Sequence, residues 1–132
     1  MRARKILLLT VFAIGLTVQP APAHHSFAAE FDANKPFKMT GKVTEVKWQN
    51  PHTFFYIDVK DEKTGKVVNW GMEMGSPNIL MRSGWRRDTM KIGNEVTVEG
   101  SLAKDGTPTG NARTVMMGGK RLFAGSSQGA NP

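Results

Sequence analysis

Between residues 37 and 117 apolar and polar positions alternate in short runs, and Gly, Pro, Asn and Asp cluster between the runs. A period of two puts successive side chains on opposite faces of a strand. The pattern predicts five strands: 37–48 (FKMTGKVTEVKW), 53–59 (TFFYIDV), 66–74 (KVVNWGMEM), 95–103 (EVTVEGSLA) and 111–117. Gly41 interrupts the first and marks a bulge or a sharp bend. Residues 49–52 (QNPH), 61–65 (DEKTG) and 104–110 (KDGTPTG) read as connecting turns. Between the third and fourth strands the pattern changes. Ser76 suits an N-cap, Pro77 the first helical position and Gly84 the stop, so a helix of about two turns is expected there. Three strands, a short helix and two strands form the element order of the OB-fold. The predicted fold is all-β with one short helix, a five-stranded OB-fold-like β-barrel, and its competitors are other small barrels and sandwiches. Val43, Ile57, Val59, Val68, Trp70, Val96, Val98 and Val115 are expected to fill the interior. On the second strand Phe55 then points inward, and Phe54 and Tyr56 outward.

Ahead of this region the pattern is of another kind. Arg2, Arg4 and Lys5 are followed by an uncharged run at 6–18 and by Ala21-Pro22-Ala23. A basic start, a short apolar stretch and small residues at a cleavage site make a secretory signal peptide. The apolar run is shorter than the ~20 residues that a membrane span needs. Cleavage after Ala23 leaves a signal peptide at 1–23, an N-terminal arm at 24–36, the barrel domain at 37–123 and a tail at 124–132. The expected location is periplasmic or secreted, with no membrane span after processing.

This cut changes the charge. The full chain has 18 Lys and Arg against 11 Asp and Glu, a net +7. Removing Arg2, Arg4 and Lys5 lowers that to +4, a weak case for nucleic acid as a partner. The chain has no Cys, which excludes disulfides, thiolate metal sites and a Cys nucleophile. No Ser lies in a Gly-x-Ser-x-Gly elbow and no phosphate loop is present. A binding module is expected rather than an enzyme.

The chemistry left falls on three His. Cleavage would make His24 the terminal residue, able to chelate through its amine and imidazole, and His25 adds a second ring. His52 lies in the first turn. His24, His25 and His52 together are a candidate metal site, and nitrogen donors favour Cu(II) among first-row divalent ions. Glu30 and Asp32 are placed to join such a site or to orient a His. A second candidate, for a small ligand, groups Trp48, Asn50, Tyr56, Trp85 and Arg86, with Arg as the anion fork. The same Trp residues also suit barrel packing. Without either site, the chain would be a protein-interaction module for an envelope protein.

Residues 23–32 (AHHSFAAEFD), Trp48-x-Asn50-Pro51-His52 and Gly84-Trp85-Arg86 together resemble DUF6152, a family of small exported bacterial proteins of unknown function. The resemblance covers essentially the whole mature chain. It implies an exported, single-domain, β-rich protein and assigns no activity.

Overall fold

The computed structural model describes residues 26–125. The predicted signal peptide, His24, His25 and residues 126–132 lie outside them. The elements run in the order α1 (Ser26–Glu30), β1 (Phe31–Lys47), β2 (Phe54–Lys60), β3 (Val67–Glu73), α2 (Pro77–Arg82), β4 (Glu95–Ala103), β5 (Thr109–Met117) and β6 (Lys120–Phe123). Among the described residues no helix is long and apolar enough to cross a membrane.

One long strand makes the architecture possible. β1 has 17 residues and serves two neighbours. Phe31 and residues 36–42 pair with β4, and residues 42–47 pair with β2. Lys42 faces Asp58 on one side and Glu95 on the other. Gly41 sits where the strand changes partners. A Cβ there would lie 2.4 Å from the Asp58 carbonyl oxygen, so the approach of β2 requires glycine. β3 then pairs in parallel with β5 through Gly71–Thr109, Met72–Gly110 and Glu73–Asn111. That pairing joins β1, β2, β3, β5 and β4 in a ring, the connectivity expected of an OB-like fold. The all-β expectation holds.

The ring is filled as the period predicts. Val43, Phe55, Ile57, Met72, Met74, Val96, Val98 and Val115 are each 1 % exposed or less. α2 closes the interior between β3 and β4 with Leu80, followed by Trp85 and Met90, all in the same cluster. Its start follows the local chemistry: the Ser76 hydroxyl accepts from the Ile79 amide at 3.4 Å and Pro77 opens the helix. Gly84, at φ +93°, ends the turn after it, in a conformation that Cβ-bearing residues avoid.

Four details depart from the sequence reading. β1 begins at Phe31 rather than at residue 37. Its first part lacks alternation, and it is anchored by Phe31, 3 % exposed and paired with Ala103. The arm also contains α1, a helix the pattern did not announce. Val68 is 42 % exposed, not core, because β5 reaches β3 only at residues 71–73 and the start of β3 overhangs the ring. Val59 and Trp70 are half-buried against the core for the same reason. Finally, β6 follows a tight hairpin at Gly118 and Gly119, both at positive φ, the backbone that a two-residue turn demands.

A surface pairing on β4 gives a pH prediction. Glu99 bonds Lys38 at 3.3 Å and Arg121 at 3.0 Å. The Lys38 hydrogen bond, the Arg121 charge and Thr114 hold its carboxyl below the ordinary glutamate value. A lowered carboxyl lends stability above its unfolded pKa, and that share disappears as pH falls through the folded value. The thermal midpoints of wild type and Glu99→Gln are therefore expected to converge between about pH 6 and pH 3. A constant difference across that range would show that the pair contributes nothing.

Candidate functional site

His52 is placed by backbone. The Thr53 amide donates to the Gly75 carbonyl at 3.0 Å, and the Met74 amide donates back to Thr53 at 2.8 Å. The segment after the cis Asn50–Pro51 bond thus continues the β2–β3 ladder and lays the His52 ring against the end of β3. There His52 Nδ1 is 3.1 Å from Glu73 Oε1 and 3.2 Å from the Met74 carbonyl oxygen. Both neighbours are acceptors, so Nδ1 carries the proton. In the neutral ring Nε2 is then the nitrogen with a lone pair to offer.

Glu73 is 8 % exposed. Burial raises its carboxyl above the ordinary value, the His52 partner draws it down, and Glu30 pushes it up again. A buried carboxylate is tolerated where it is paired and hydrogen-bonded, and His52 supplies that partner.

Glu73 also lines an open cleft of ≈ 520 Å³. Glu30 and Phe31, Phe54 of β2, and Lys104 and Asp105 of the β4–β5 loop line it as well. The end of α1 is clipped to that loop. The Lys104 amide donates to the Glu30 carbonyl at 2.8 Å, and Lys104 Nζ donates to the Ala28 carbonyl. The Phe27 and Phe31 rings pack tilted at 36°, with centroids 5.7 Å apart. The N-terminal end of the described chain is thus held at the same cleft as the His52 partner.

The sequence candidates divide. His52 stands at the site with Glu73, and His24 and His25 directly precede α1 but lie outside the described residues. Among the described residues no three His, Asp or Glu come together as a metal cage. Trp48 packs half-buried against the core at the end of β1. Asn50 is exposed in the same loop. Tyr56 faces outward from β2, with Lys47 Nζ 5.0 Å from its ring centroid. Trp85 is 1 % exposed, and its indole N–H donates to the Phe123 carbonyl at 2.8 Å. Arg86 is exposed and returns its guanidinium to the Trp85 carbonyl at 3.0 Å. None of these five lines the cleft. Glu30 does, whereas Asp32 turns to Lys35 at 3.9 Å. The residue that sequence reasoning passed over is Glu73. Its signal was an acid between two core residues, Met72-Glu73-Met74, at the end of a strand.

A family model described as "Family of unknown function (DUF6152)" matches residues 13–113. The chain belongs to that family. Comparison with curated proteins gives no match.

Proposed function

We propose that this DUF6152 member is an exported binding module whose ligand is a transition-metal ion, copper foremost, taken by His52 together with His24 and His25. The observation that supports this most is the His52–Glu73 contact. A carboxylate on one ring nitrogen fixes the tautomer, orients the ring and makes the opposite nitrogen a better donor. The cleft adds a second reason. Among the described residues Glu30, Glu73 and Asp105 line it against Lys104 alone, in a chain whose net charge is positive. An acidic recess on a basic protein selects a cation. With no Cys to contribute, imidazole and the terminal amine are the strongest donors left to the processed chain. The proposed export rests on the leader-like pattern of residues 1–23, and cleavage after Ala23 would create the chelating terminus.

A chain processed to begin at His24, titrated with Cu(II) against a competing chelator, is expected to bind below micromolar. Loss of a supporting partner of a metal-bound His typically weakens binding 10–100-fold, so loss of the ring itself in His52→Ala should weaken it by at least about tenfold. Binding at micromolar or weaker that His52→Ala leaves unchanged would overturn the reading.

One observation favours a second reading, an envelope interaction module. Val67 and Val68 are 58 % and 42 % exposed on the overhanging start of β3, and an open strand edge can accept a strand of another chain. A stoichiometric partner retained in the presence of chelator and lost on Val68→Lys would support it.

A further inference from the structure

On the outer face of the ring, where Asn111 of β5 pairs with Glu73 of β3, lies a smaller pocket of ≈ 140 Å³. Ser101 and Asn111 are directly paired neighbours of β4 and β5, and Arg113 lies two residues further along β5. Arg113 falls at the register shift, unpaired between Ala112 and Thr114. Ser101, Asn111 and Arg113 all line the pocket, and Phe27 and Ala33 give it an apolar side. Asn111 is 6 % exposed, and among the described residues its Nδ2 has no hydrogen-bond partner. Leaving a buried donor unmatched is costly, and an apolar residue of similar size would avoid that cost. The nearby acid does not answer Arg113, since Glu99 pairs with Lys38 and Arg121.

We propose that this pocket is a binding site for a small carboxylate. The guanidinium fork of Arg113 matches the two carboxylate oxygens, and Asn111 Nδ2 and the Ser101 hydroxyl are further donors on the same wall. A single Arg balances the one charge of a carboxylate, whereas a phosphate carries nearly two. The Phe27 and Ala33 side takes a short alkyl remainder, and the volume excludes a nucleotide or an oligosaccharide. The site is separate from the metal reading and does not depend on it.

The test is a titration of the ¹⁵N-labelled processed chain with propionate, acetate, phosphate and chloride at constant ionic strength, following the Asn111 side-chain amide. Saturable shifts with propionate and acetate are expected, with little response to phosphate or chloride. Arg113 is exposed, so Arg113→Ala is expected to fold normally and to weaken propionate binding by about tenfold or more. Asn111→Leu, read at the backbone amides of Ser101 and Arg113, is expected to abolish it. An Asn111 amide unmoved by carboxylates, an equal response to chloride, or a titration unchanged by Arg113→Ala would overturn the proposal and leave water as the occupant of the pocket.

Discussion

Trp85→Ala is expected to cost about 3–5 kcal/mol of stability. For a domain of this size that lowers the thermal midpoint by about 15–30 °C. Trp85 is 1 % exposed within the cluster formed by the ring and the segment after α2. The substitution leaves a large void in that cluster and also takes from β6 the indole N–H that the Phe123 carbonyl accepts at 2.8 Å. Trp85→Phe keeps most of the volume but strips that carbonyl of its donor, so it should cost about 1–3 kcal/mol. Urea unfolding of the two variants gives the order directly. A loss below about 1 kcal/mol for Trp85→Ala would contradict the core assignment.

Gly100→Ala is expected to be as severe as many core truncations although it adds only a methyl. A Cβ at this position would stand 1.8 Å from the Asn111 carbonyl oxygen and 3.2 Å from the Ala112 Cα. Both are backbone atoms of β5, at a shift of register between Glu99 and Gly100. A side chain can rotate away from a methyl, but a paired strand cannot. Overpacking commonly costs 1–3 kcal/mol and more where backbone must move, so about 3 kcal/mol is expected here. Gly71→Ala is the control. The nearest neighbour of its added carbon is the Tyr56 ring, at 3.1 Å, which can turn outward. Calorimetry should find Gly71→Ala much the milder of the two, and equal midpoints would contradict the account of the β4–β5 approach. Because Asn111 moves with its carbonyl, Gly100→Ala should also lose the propionate response.

How much of this could be read from sequence depended on how local the cause was. The α2 cap lies within four residues of its helix, and Ser76, Pro77 and Gly84 show it plainly. The inward and outward sets of β2 follow from alternation, and Phe55 and Ile57 are buried as expected. β6 was legible in principle, since Gly118-Gly119 is a hairpin signal, but a short strand beside a Gly-rich tail reads as tail. Phe31 and α1 were not legible, because their order comes from Ala103 and Lys104, far along the chain. The same limit hid Glu73. His52 and Glu73 lie 21 residues apart in sequence and meet across the end of the β2–β3 ladder, and no window on the sequence shows that contact. Trp85 was ambiguous for another reason: an indole serves a ligand face and a core equally well, and only its bond to Phe123 decides.

In the proposed metal site His52 is one of three imidazoles that hold copper, with Glu73 behind it. Pulsed EPR on Cu(II)-loaded processed protein counts the imidazoles bound to the metal. Three are expected in wild type and two in His52→Ala. The same count in both proteins would contradict it.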